Sequence, residues 1–181
     1  MKRIACLLFL LSLLLIACSG RTPEDERQPT IPLTACRLSG GVDAQCGQLL
    51  VYEDRAAAAG RQISLNIAVL PATGSSNVVA DDPLFLLAGG PGQAATETYP
   101  LAASLFADVN RNRDIVLVDQ RGTGESNGLN CAVLEDETLP ADLPDDEQIA
   151  LLDQCRLDLG ERADLSLYTT DAFVADLDDV R

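Results

Sequence analysis

The sequence predicts an α/β fold in which an antiparallel strand pair leads into a strand, helix, strand unit and then into further helices. Three observations carry this. Residues 62–71 alternate with a period of two, Ile63, Leu65, Ile67 and Val69 falling on one side, the pattern of a half-buried strand. Residues 83–88 and 114–119 are short apolar runs without alternation, as expected of strands covered on both faces. Between them lie a glycine-rich turn and a stretch with apolar residues at helical spacing, which completes a βαβ unit.

Taken in order, residues 47–53 form the first strand of the pair, and the polar, Ala-rich residues 54–61 connect it to the strand at 62–71. So short a linker makes the two antiparallel neighbours. A turn-rich gap, Thr73-Gly74-Ser75-Ser76-Asn77, precedes the buried strand 83–88, which ends at Gly89-Gly90-Pro91-Gly92. A helix over about 100–109 then carries Leu101, Leu105 and Val109 as its apolar stripe. The strand at 114–119 should lie parallel to that at 83–88, adjacent or nearly so, through a right-handed crossover. Beyond Gly128 the chain is strongly acidic. Pro144 opens a helix bearing Ile149, Leu152 and Leu159, with Gly160 as its stop and early acids matching its dipole. A last helix has Thr170 as N-cap and Phe173, Leu177 and Val180 as its stripe. Nothing after that stripe supplies another strand. The sheet is therefore expected to be incomplete, one edge of the buried parallel pair lacking a partner, so that this chain folds poorly by itself.

With 47% apolar residues, 181 residues suffice for one core. The formal charge of −15 argues against a nucleic-acid partner, and loss of Lys2 and Arg3 with a leader would deepen it. There is no Trp and no His, and aromatics are 4%. Base-stacking platforms and imidazole metal sites have little to be built from, so neither nucleic acid, metal nor cofactor is expected.

Residues 1–17 read as a signal peptide, Lys2 and Arg3 preceding an apolar run from 4 to 17 that is short for a membrane span. Leu15-Ile16-Ala17-Cys18 resembles the lipobox of bacterial lipoproteins. The resemblance implies cleavage before Cys18 and a diacylglycerol on its thiol, making the membrane a partner at ~0.8 kcal/mol per buried methylene. Residues 18–35 then form the lipidated N-terminus and a polar tether. Ser19, in place of a retaining Asp, implies the outer membrane, facing the periplasm or the exterior.

Of the six cysteines, Cys6 lies in the leader and Cys18 takes lipid. Cys36, Cys46, Cys131 and Cys155 remain, and four cysteines allow three pairings. Sequence proximity favours Cys36–Cys46 and Cys131–Cys155, closing loops of about 10 and 24 residues worth ~3 kcal/mol each. No Cys-x-x-Cys spacing suggests zinc, and export favours disulfides over buried thiols.

The loop Gly89-Gly90-Pro91-Gly92 by itself fits a plain tight turn, glycines supplying positive φ. It lacks the spacing of a dinucleotide loop and the Gly-Lys-Ser or Gly-Lys-Thr of a phosphate loop. Its companion is more specific: the second parallel strand ends in Asp119-Gln120-Arg121-Gly122-Thr123-Gly124-Glu125-Ser126. This pair of motifs resembles the proline iminopeptidase and tripeptidyl aminopeptidase family of α/β-hydrolases. The likeness extends to Cys46-Gly47-Gln48, Glu53-Asp54-Arg55 and Tyr168-Thr169-Thr170, and it covers residues 36–181. Ala88 stands where many proline iminopeptidases have His, which brings the larger secreted tripeptidyl-type enzymes closer.

The resemblance implies the N-terminal part of an α/β-hydrolase domain, ending before the nucleophile elbow, in an exported serine-type aminopeptidase that acts on peptide N-termini. It implies that Gly89 or Gly90 donates a backbone N–H to the oxyanion. Pro91, Gly92, Gly122 and Gly124 shape the two loops, and Asp119 and Arg121 are expected to form a structural ion pair and hydrogen-bond set at the strand end. No catalytic Ser, Asp or His of the triad is recognisable, so the 181 residues alone are expected to be inactive. An esterase or other α/β-hydrolase, or a non-enzymatic surface lipoprotein on the same scaffold, are the alternatives.

Overall fold

The computed structural model describes residues 31–75, 79–134 and 143–181. The expected signal peptide, Cys18 and the tether up to residue 30 lie outside the described residues. Five strands make one mixed sheet: β1 (Thr34–Arg37), β2 (Asp43–Tyr52), β3 (Gln62–Leu70), β4 (Leu84–Leu86) and β5 (Ile115–Val118). Their order is β1-β2-β3-β5-β4. β2 and β3 pair antiparallel from Gln45↔Val69 to Tyr52↔Gln62, and β4 and β5 pair parallel, Leu86 opposite Leu117. Between these two pairs, β3 runs antiparallel to β5. Among the described residues β4 pairs only with β5, and its other edge is open.

Alternation along β5 sends side chains to two cores. Ile115 and Leu117 join Ala44, Ala68, Leu70, Ala95 and Tyr99 on one face. Val116 and Val118 join Ile67 and Phe173 on the other. Leu65, Ile115 and Leu117 are fully buried, and each such side chain contributes about 1.5–3 kcal/mol. β3 is likewise covered on both faces near its end, Ala68 and Leu70 being buried as well as Ile67, so its alternation marks only one of two contact surfaces.

Both disulfides are formed, Cys36–Cys46 and Cys131–Cys155. The first bridges β1 to β2 across an antiparallel register that sets Cys36 opposite Ala44 and Thr34 opposite Cys46. A short added strand is thereby held to the sheet edge.

The helices depart from expectation in three places. The crossover helix α1 spans Ala95–Ala102, starting well before residue 100. Pro100 lies inside it, and beyond it the chain passes into a 3-10 turn, Ala103–Phe106, and a short helix α2 (Ala107–Asn110). Pro100 has no N–H to donate back along the helix, which ends the regular pattern. The shift in phase turns Leu101 and Leu105 outward, at 88% and 80% exposure, while Ala95 and Tyr99 face the sheet and Phe106 packs beside them. The acidic helix α3 runs Asp145–Arg162, straight through Gly160, where an added Cβ would meet nothing. It buries Cys155 and Leu159, whereas Ile149 and Leu152 are exposed. Helix α4 (Thr170–Val180) is capped by Thr169, whose Oγ1 accepts from Ala172 N at 3.2 Å, and Thr170 is its first residue. The expected stripe holds, with Phe173 buried and Leu177 and Val180 packed beside it.

Candidate functional site

The glycine loop leaves the C-terminal end of β4, where ligands are met in open α/β sheets. Gly90 has φ 143° and Gly92 φ 84°, conformations that side chains disfavour. The amide N–H of Gln93 donates to Gly89 O at 3.3 Å and closes the turn. A Cβ on Gly90 would lie 3.1 Å from Gln93 N, while one on Gly89 would meet nothing within 4 Å. Fold geometry therefore requires glycine at 90 and 92, but the space over Gly89 is open to solvent. Both Gly89 and Gly90 are exposed, and among the described residues neither N–H donates a hydrogen bond. Two adjacent backbone donors are thus free at the mouth of the loop.

Beneath the loop sits Asp119, fully buried at the end of β5. Its Oδ1 accepts from Thr96 N at 2.9 Å, and its Oδ2 accepts from Thr96 Oγ1 at 2.8 Å and Asn66 Nδ2 at 2.9 Å. The carboxylate is in effect a remote cap for α1, satisfying a first-turn N–H that Ala94 has no side chain to reach. Gly124, at φ 46°, presses on the same place, since a Cβ there would lie 2.6 Å from Ala94 Cβ and 2.8 Å from Asp119 Oδ2.

Arg121 points elsewhere. Asp119 and Arg121 do not pair with each other, because Asp119 serves the α1 face and Arg121 turns to α4. The guanidinium, 0% exposed, donates from Nε to Asp176 Oδ2 at 2.7 Å and from Nη2 to Asp176 Oδ1 at 2.8 Å. Its Nη1 donates to the carbonyls of Glu53 and Leu167 at 3.0 and 3.1 Å. Arg55 completes the set, donating to Asp176 at 2.8 Å and Asp179 at 2.6 Å. The buried Glu53 carboxylate accepts from Asp164 N and Tyr168 OH at 3.1 and 2.9 Å. Burial, reinforced by the hydrogen bond to Glu53, pushes the Tyr168 hydroxyl up to about 12. Gly122, at φ 84°, lets Tyr168 and Leu129 close over it. Ser126 Oγ, also buried, accepts from Asn66 N at 2.7 Å.

Glu53, Arg55, Arg121, Gly122 and Tyr168 therefore meet in one polar knot, and Asp119, Gly124 and the glycine loop meet in a second place on the opposite side of the sheet. Pro91 stands exposed in the loop between Gly90 and Gly92. Asp176, Thr96 and Asn66 are not among the residues the sequence singles out. The signal for Asp176 is an acid three residues after Phe173, inside an apolar helical stripe; Thr96 and Asn66 carry none. Among the described residues no group of three or more His, Cys, Asp or Glu is placed to hold a metal. Beside β4, Phe85 and Leu87 face Val174 and Leu177 of α4 across a groove of about 470 Å³.

Fold and site define an open mixed α/β sheet whose parallel pair carries a loop with two exposed backbone donors. Neither a known family nor a curated protein matches this chain.

Proposed function

We propose that this chain is the scaffold and oxyanion-loop portion of an exported serine hydrolase of the α/β-hydrolase type, an aminopeptidase acting on peptide N-termini. The observation that carries the reading is the pair of exposed, unbonded N–H groups at Gly89 and Gly90, at the end of a parallel strand and held from below by Asp119. Backbone donors with no Cβ in the way suit a developing alkoxide, and each is worth ~3 kcal/mol of barrier. The chain has no histidine, so in this reading the nucleophilic Ser and the His base come from sequence continuing past Arg181. Cys18 carries lipid and holds the enzyme at a membrane surface. Two measurements test the reading. Sequencing the coding region beyond Arg181 should give an open frame with Gly-x-Ser-x-Gly, and a stop codon there would favour a non-enzymatic lipoprotein. Labelling with a radioactive fatty acid should mark the protein and fail in Cys18→Ala; label that survives the change would refute the anchor.

A further inference from the structure

Both ends of the glycine loop are fastened to one strand. Its entry is β4, paired to β5 with Leu86 opposite Leu117. Its exit is Thr96, bonded twice to Asp119, two residues further along the same strand. Two residues of strand span about 7 Å, so the loop leaves and returns to neighbouring points of a single rigid element. Ala94 and Ala95, between loop and Thr96, are buried to 0% and 1% exposure and leave little room for movement. Gly124 packs against both Ala94 and Asp119, so the second motif forms the seat on which the first one rests.

We infer that Asp119 is the positioning residue for the donors of the glycine loop. Its carboxylate fixes the start of α1 and consumes the Thr96 N–H. By fixing that end of the loop it sets the direction in which the N–H groups of Gly89 and Gly90 point. Asn66, bonded to Asp119 Oδ2, ties this seat to the antiparallel half of the sheet. The consequence for catalysis rests on the proposed hydrolase reading, but the positioning itself does not.

The test is backbone ¹⁵N relaxation on the full-length protein. The native loop should give order parameters of ~0.85 at Gly89, Gly90 and Gly92, equal to those of β2 and β3. In Asp119→Asn, which keeps the volume but loses the charge and one acceptor, the loop values should fall below ~0.6 while β2 and β3 stay rigid. If that variant does not fold, Thr96→Val, which removes only the Oγ1 bond, should lower the loop values in the same direction. A loop as rigid as native in either folded variant, even with a lowered unfolding midpoint, would overturn the inference and leave Asp119 merely structural. A rigid native loop in a protein that hydrolyses nothing would sink the hydrolase reading and leave this one standing.

Discussion

Replacing Asp176 by Ala should be among the most damaging single changes in the domain. Arg121 and Asp176 both have fully buried side chains, joined by two charge-assisted hydrogen bonds of 2.7 and 2.8 Å. Removing the carboxylate leaves Arg121 charged in the interior with only two carbonyl partners. Breaking a buried pair in this way costs about 3–5 kcal/mol, a large share of the ~5–15 kcal/mol that holds a domain together. The neighbouring Asp179 is a built-in control. It binds Arg55 at 2.6 Å, but its side chain is 48% exposed, so Asp179→Ala should cost no more than ~1 kcal/mol. Replacing the pair together, Arg121→Met with Asp176→Leu, should recover most of the loss, since apolar groups of similar size leave no charge stranded. Urea unfolding followed by circular dichroism gives the three values. Equal costs for the two single Asp variants would refute the view that the knot's energy lies in the buried Arg121–Asp176 pair.

Other outcomes follow from the same structure. Because the Tyr168 hydroxyl is raised from 10.0 to about 12, its neutral form is favoured by folding. Its contribution should be complete below pH 10 and lost as pH rises through about 12; Tyr168→Phe should flatten stability over that window, and an unchanged alkaline profile would contradict the burial of the hydroxyl against Glu53. Thr169→Ala should cost ~1 kcal/mol and Thr170→Ala much less, measured by thermal unfolding, because only Thr169 caps α4. Replacing Cys36 and Cys46 by Ala should lower stability by ~2–3 kcal/mol, and peptide mapping without reductant should return both the Cys36–Cys46 and the Cys131–Cys155 peptides.

The elements that the sequence discloses are those whose causes are local. Ile63, Leu65 and Ile67 alternate because one strand face is in the core, and the unbroken run at β5 is apolar because both faces are. Disulfide pairing is readable from spacing, since Cys36 and Cys46 flank one tight strand connection. The start of α1 is not readable, because its cap is Asp119, 23 residues downstream of Thr96; Leu101 and Leu105 then make a plausible stripe that the fold turns to solvent. Thr170 reads as the cap of α4, yet the extended backbone falls one residue earlier and makes Thr169 the cap. Arg121 is conspicuous within its motif, but its partner lies 55 residues away on a helix, and no periodicity couples the two. For the candidate site, the glycines name the loop. What makes it a site is the combination of open space over Gly89 and unspent donors, both of which depend on the folded backbone.

Hydrolysis of alanyl-, prolyl- and tripeptidyl-p-nitroanilides by the full-length gene product and its Gly89→Pro variant tests the oxyanion assignment most directly. Gly89 is the cleaner position, since its φ lies outside the positive range and nothing opposes a Cβ there, whereas proline cannot adopt the φ of 143° at Gly90. Loss of that single N–H should lower kcat about 10²- to 10³-fold and leave KM within about threefold. Equal kcat in the two proteins, or no hydrolysis by the unsubstituted one, would contradict the assignment.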